Sequence, residues 1–244
     1  MSKLSVSTRA PEKLNKEKIK AKTEHLITEM AGYQKILFAE ARRSILVVLQ
    51  GVDASGKDGL IADVFTGLNP FGVNVCAFKA PSDEEASHDF LWRIHHDCPA
   101  KGMIHIFNRS HYEDILVPRV NKFLTEKQII QRMKDINHFE AMLQNEGTVI
   151  LKFYMHISRD EQAVRLKERK TNPHKYWKHN DDDWKARRKW QLYMDTYEMI
   201  FKKCNAPEWN IIPADQNWYK EYLVALKIRD TLRNMKLEYP TLKG

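Results

Sequence analysis

The stretch from Ile45 to Gly59, ILVVLQGVDASGKDG, restricts the fold of the chain more than any other. Its first five residues are apolar and mostly β-branched. A run of that length bounded by a glycine loop reads as a strand buried on both faces. Gly51, four further residues, Gly56 and Lys57 follow. Beyond Lys57, the residues Leu60, Ile61, Val64 and Phe65 fall at helical spacing. Strand, glycine loop and helix in that order are the context in which this motif is a phosphate-binding loop, or P-loop. Backbone N–H groups of such a loop converge on phosphate oxygens, and the helix N-terminus adds partial positive charge. Gly51, Ala54, Ser55 and Gly56 form the expected cradle, with Lys57 as a point charge on bound phosphate. A turn that merely contains two glycines is the competing reading, and the flanking strand and helix count against it.

The loop departs from the common pattern at one place. A Ser or Thr normally follows the lysine and binds magnesium through its hydroxyl, whereas here Asp58 follows. A second carboxylate, Asp53, lies inside the loop. A carboxylate in a phosphate cradle repels its ligand unless a cation sits between them, and hard cations prefer oxygen donors. Asp53 is therefore expected to hold Mg2+ and to help orient the acceptor.

At 244 residues, the chain has room for one large α/β domain. Its formal net charge of +8 and sequence pI of about 9.2 suggest an anionic partner without choosing among nucleotide, polyanion and nucleic acid. Cys76, Cys98 and Cys204 are widely spaced and form no CxxC pair, so neither a disulfide framework nor a zinc site is indicated. No apolar run reaches membrane-spanning length, and the N-terminus lacks a signal-peptide core. A cytoplasmic protein that binds no membrane is expected.

Residues 1–11 read as a flexible arm, followed by a charge-rich helical extension over about 12–43. Strands are expected at Asn74–Phe78, Met103–Phe107, Thr148–Ile157 and Ile211–Pro213. Between them lie helices opening at Ser82, Thr125 and Ser158, where Ser or Thr precedes Glu or Gln by three residues. The Ser82 helix is expected to run to just before Pro99. A further helix starts at Asp181-Asp182-Asp183 and carries Trp184 to Phe201, and a last one covers Trp218 to about Lys236. This alternation predicts a P-loop kinase-like, three-layer α/β/α fold with a parallel sheet of about five strands. It reads as one domain over 1–244.

Polar residues bunch where the third strand ends, at Asn108-Arg109-Ser110-His111-Tyr112-Glu113-Asp114. Open α/β sheets bind ligands at that end. P-loop proteins place a magnesium-holding carboxylate there, whereas here Asn108 lacks the charge and Arg109 suits phosphate. Arg165 and Arg169 are four apart on one helix and share a face. With Lys170 and Lys178 of the basic tip Lys170–Lys178, they are expected to meet phosphate. The helices around the tip, about 160–190, would form a lid that excludes water and brings in late positive charge.

Several spaced motifs resemble one family. Gly51–Gly59, Lys79-Ala-Pro-Ser82, His88-Asp-Phe-Leu-Trp-Arg93, Pro173-His-Lys-Tyr-Trp-Lys178, Ala206-Pro-Glu-Trp209 and Ile212-Pro-Ala-Asp215 are similar to segments of the polyphosphate kinase 2 family. The resemblance covers nearly everything after Leu37. It implies transfer of the terminal phosphate of inorganic polyphosphate to nucleotides with magnesium. It also implies roles for Asp53 as the metal-binding and catalytic aspartate, Lys57 as the phosphate lysine, Lys79 as a basic residue near the phosphates, and Arg109. Lys178 and Arg187 fall on lid positions. Many members have aspartate where Asn108 stands. The run Asn108–Val117 instead resembles the subgroup that acts on both nucleoside mono- and diphosphates. The implied reaction is reversible conversion of AMP to ADP and ADP to ATP. The expected partners are inorganic polyphosphate and purine nucleotides, in a homo-oligomer, dimer or tetramer, with no nucleic acid.

Other features have plainer readings. Adjacent His95 and His96 do not share a helix face and read as ordinary histidines. His111 is expected to line the site wall without proton chemistry. The aromatic residues from Trp184 to Tyr197 read as packing. Two other functions fit parts of the pattern: an ATP-dependent nucleotide kinase of thymidylate-kinase type, which would not need polyphosphate, and a basic nucleic-acid-binding module, whose binding would survive loss of Asp53.

Overall fold

The computed structural model describes residues 2–242; Met1, the first residue of the expected arm, and the last two residues of the 1–244 span lie outside them. Five parallel strands form one sheet in the order β2-β3-β1-β4-β5. They are β1 (Ser44–Gln50), β2 (Val73–Ala77), β3 (Ile104–Asn108), β4 (Thr148–His156) and β5 (Trp209–Pro213). All seven residues of β1 are buried, as a central strand covered on both faces requires. It pairs with β3 through Leu49 opposite Asn108 and with β4 through Leu49 opposite Phe153. The chain leaves β1 toward one half of the sheet and returns from β3 to build the other. The crevice at this switch point lies beyond the carboxyl end of β1, where the glycine loop begins.

The helices are α1 (Lys16–Glu40), α2 (Lys57–Phe65), α3 (Asp83–Ser87), α4 (Trp92–His96), α5 (Glu113–Asn121), α6 (Glu126–Asn145), α7 (Arg159–Thr171), α8 (Asp181–Arg188), α9 (Trp190–Lys203) and α10 (Asn217–Asn234). The extension α1 buries Ile19, Leu26, Met30 and Leu37. It packs along α10, which also touches α2, while α5 packs on α6 and α9. One apolar core runs from Leu26 through the strands to Leu232. Among the described residues, no helix is long and apolar enough to cross a membrane.

Three local expectations are corrected, and one helix is added. The single helix expected from Ser82 is two, because Asp89 Oδ1 accepts from the Leu91 N–H (2.9 Å) and ends α3 in a turn. The helix from Asp181 breaks at Lys189 into α8 and α9. The segment after β3 is a helix, α5, which sequence reading left without structure. Pro118 lies within α5 and cannot donate to the carbonyl of Asp114; Arg132 Nη1 of α6 donates to that oxygen instead, at 2.8 Å. The N-terminal arm is pinned. Leu4 N donates to Glu198 Oε1 (2.8 Å), Thr8 Oγ1 to Asp215 Oδ2 (2.8 Å) and Ala10 N to Gln216 Oε1 (2.8 Å).

Candidate active site

A cleft of about 950 Å³ opens over the loop. Eight lysine and arginine residues border it, Lys220 from behind the loop, against six carboxylates, so the cleft favours an anion. Asp53, Ala54, Ser55, Gly56, Lys57, Lys79, Asn108, Arg109, Arg165, Arg169 and Lys178 all reach it. Gly51 starts the loop beneath it.

The loop's shape follows from its glycines and from what holds its carbonyls. Gly56 has φ +89°, and a Cβ there would come within 2.6 Å of Lys220 Nζ. Ala54 and Arg109 take left-handed backbone too, at φ 60° and 64°. Lys57 Nζ donates to Gly51 O (2.7 Å) and Val52 O (3.3 Å). Gln162 Nε2 donates to Asp53 O (3.0 Å), Arg165 Nη1 to Ala54 O (3.2 Å) and Lys220 Nζ to Gly56 O (2.8 Å). Burial, then the neighbouring Arg109, push the Lys57 pKa down.

Arg109 follows β3 and points its guanidinium at the loop, with Nη2 2.8 Å from Asp53 Oδ1. Its backbone N–H donates to Leu49 O (3.1 Å), tying the end of β3 to that of β1. Asn108 Nδ2 donates to Asp58 Oδ1 (2.9 Å), and Lys178 Nζ lies 3.5 Å from Asp58 Oδ2. Burial works against the charge on Asp58, but the Asn108 amide and Lys178 outweigh it and hold its pKa below the usual value. The tip, a 3-10 turn over Pro173–Lys178, thereby rests on the start of α2.

The predicted basic residues divide into groups. Arg165 is committed to the protein: besides Ala54 O, it donates to Glu161, Ala214 O and Asp215 O. Arg169 pairs with Asp183 at 2.6 Å. Burial, then nearby Asp53, lift the Asp183 pKa to about 6. Lys170 pairs with Asp181 and Arg187 donates to Arg159 O and Gln162 Oε1; neither is among the residues that line the cleft.

His111 is not a wall residue. It is fully buried, with Nε2 3.1 Å from Glu140 Oε1. The same glutamate accepts from Tyr112 Oη (2.9 Å) and Lys152 Nζ (2.6 Å), all inside the core. Two residues after the turn at Arg109, the chain has already turned inward, and this polar cluster anchors the segment that presents Arg109.

Sequence reading placed Glu113 in the polar run after β3 but gave it no role of its own. With the Gln50 amide oriented to satisfy its neighbours, its nitrogen donates to Glu113 Oε1 (3.1 Å) and its oxygen accepts from Ser110 N (3.2 Å). Burial raises the Glu113 pKa against the pull of Arg109 and Lys57. The available signal was the acidic pair Glu113-Asp114, a helix-start feature.

Among the described residues, no cluster of three or more His, Cys, Asp or Glu side chains is arranged to hold a metal. Asp53, Asp58 and Asp183 nevertheless present hard oxygen donors to the cleft. A magnesium-type cation commonly takes one or two carboxylates and completes its shell with substrate phosphates and water, so this donor set fits one.

A parallel sheet whose central strand ends in a phosphate loop, under a cleft lined by lysine and arginine, defines the P-loop kinase-like class. The chain belongs to the polyphosphate kinase 2 family, whose model, Polyphosphate kinase 2 (PPK2), matches residues 13–240. It is 47% identical over 210 residues to the AMP/ADP-polyphosphate phosphotransferase of Meiothermus ruber, covering 85% of this chain and 78% of that one. It is 36% identical to the ADP-polyphosphate phosphotransferase of Rhodopseudomonas palustris, covering 88% and 79% of the two chains. The crystal structure of polyphosphate kinase 2 from Arthrobacter aurescens TC1 superimposes with a TM-score of 0.95 at 36% identity, covering 100% of this chain and 89% of that one.

Proposed function

We propose that this enzyme transfers the terminal phosphate of inorganic polyphosphate to nucleoside mono- and diphosphates, converting AMP to ADP and ADP to ATP. The observation that carries the reading is the convergence of Asp53, Lys57, Arg109 and the lid cations Arg169, Lys175 and Lys178 on one cleft. The names of the Meiothermus and Rhodopseudomonas relatives support the donor and both acceptors.

In this reading the loop N–H groups bind phosphate oxygens, while Lys57 and Arg109 stabilise charge on the transferred group in a loose transition state. Asp53 is the residue assigned to hold Mg2+, which when bound neutralises phosphate charge. Lys79 adds positive charge at the β2 end of the cleft. Residues 160–190 act as the lid, with Lys178 closing on Asp58 and water excluded beneath it. The three free cysteines suit a reducing cytoplasm. Exposed Phe71 and Val75 near edge strand β2 offer an apolar contact for a homo-oligomer.

Purified protein with Mg2+, polyphosphate and a panel of AMP, ADP, GMP, GDP and pyrimidine nucleotides is expected to yield ADP and ATP. Equal turnover with ATP as donor and none with polyphosphate would reject the reading in favour of an ordinary nucleotide kinase.

The tip has its own expected result. Replacing Lys170, Lys175 and Lys178 by Gln is expected to raise KM for long-chain polyphosphate about tenfold while changing that for tripolyphosphate less than about twofold, because a long polyanion releases more counterions along the row. The salt dependence of binding flattens as well. Equal losses for short and long chains would make the tip part of the reaction centre and not a chain guide.

A further inference from the structure

Lys220 has no solvent-accessible side chain. Burying an ammonium is expensive unless a counter-charge compensates it. Here the hydrogen-bond partners are neutral, Gly56 O at 2.8 Å and Asn217 Oδ1 at 3.1 Å. Arg165 on α7 and Lys57 on α2 face it with like charge, and Glu221 on α10 and Asp63 on α2 with opposite charge. Burial, then Arg165, lower its pKa to about 8. Removing one partner of a buried ion pair is destabilising because it leaves the other charge unpaired, but the groups that bond Lys220 are neutral and leave no such charge behind. The Gly56 carbonyl would keep a partner without it, because Leu60 N also donates to it, at 3.1 Å. Fold stability alone therefore does not account for this lysine.

Its position does. Gly56 sits at φ +89°, a residue free to rotate, and its C=O shares a peptide plane with the N–H of Lys57. If that plane flipped, it would aim an oxygen into the cleft and withdraw an N–H from it. The carbonyls of Gly51, Val52, Asp53 and Ala54 are held by Lys57, Gln162 and Arg165. Lys220 completes the set at the end nearest the helix.

We propose that Lys220 is a positioning residue of the phosphate cradle, acting with the Leu60 N–H to lock the Gly56–Lys57 peptide with its carbonyl away from the cleft and its N–H toward bound phosphate. The inference deepens the reading of the cleft as a polyphosphate and nucleotide site and rests on it.

The test is Lys220→Met in the full chain. Binding of inorganic tripolyphosphate, followed by calorimetry at pH 7, is expected to weaken about tenfold, and turnover to fall about thirtyfold, with the nucleotide KM within about twofold of wild type. The melting temperature without ligand should stay level or rise. Tripolyphosphate binding within twofold of wild type, or a loss that appears in the nucleotide KM and not in turnover, overturns the proposal. If Lys220→Met fails to fold, Lys220→Gln is judged by the same limits. A wild type that binds tripolyphosphate but phosphorylates no nucleotide overturns the proposed function, and the role of Lys220 is then decided by the binding comparison alone.

Discussion

Asp53→Asn is expected to cut turnover by about three powers of ten, the scale of a lost electrostatic centre. Two effects combine in that figure. The substitution removes the charged oxygen assigned to the metal, and it releases Arg109, whose Nη2 is 2.8 Å from that carboxylate. Manganese binding, read by water-proton relaxation in the presence of tripolyphosphate, separates them. The metal assignment requires the signal to vanish in Asp53→Asn and to persist in Arg109→Lys. The fold should survive, because Gln162 holds the Asp53 backbone oxygen and not its side chain. Near-normal turnover at ordinary magnesium would sink the assignment.

Lys57→Met is expected to slow transfer from every polyphosphate chain length by about a hundredfold to a thousandfold. Its contact grows with transition-state charge, so the loss should appear in kcat more than in KM. The tip variant is expected to show the opposite split, which makes chain length the discriminating variable between the two. Stability should fall by only about 1–2 kcal/mol, since the Gly51 and Val52 carbonyls lose one shared donor. A variant that fails only with long chains would move Lys57 from the reacting phosphate to the chain-guiding row.

The strand-loop-helix at Ile45–Phe65 was legible because its signals are local: an unbroken apolar run, fixed glycines and a helical period. The same holds for the capping boxes at Ser82 and Thr125, both of which form. What sequence did not reveal depends on partners distant in the chain. The arm has no period of its own and is held by Glu198, Asp215 and Gln216. Helix α5 looks interrupted at Pro118 until Arg132 is seen to take the orphaned carbonyl. His111 looks like a wall of the site until Glu140 is found beside it in the core. Around the cleft, residue type indicated positive charge but not its use: Arg165 faces the loop's carbonyls, whereas Arg169 faces Asp183. Gln162, a neutral residue in a charged helix, gave no signal at all.

The loop's own sequence ends at Gly59, but the side chains that hold its carbonyls from outside stand at Gln162, Arg165 and Lys220. At about 5–20 residues per second, a ribosome delivers the last of these on the order of ten to thirty seconds after the loop itself. Strand β1 waits as well, since β4, one of its two neighbours, begins at Thr148. During translation the segment 45–59 is therefore an apolar strand without its sheet, joined to a glycine turn without its clamps. The outer clamps on the loop's carbonyls are complete only once α10 has been made.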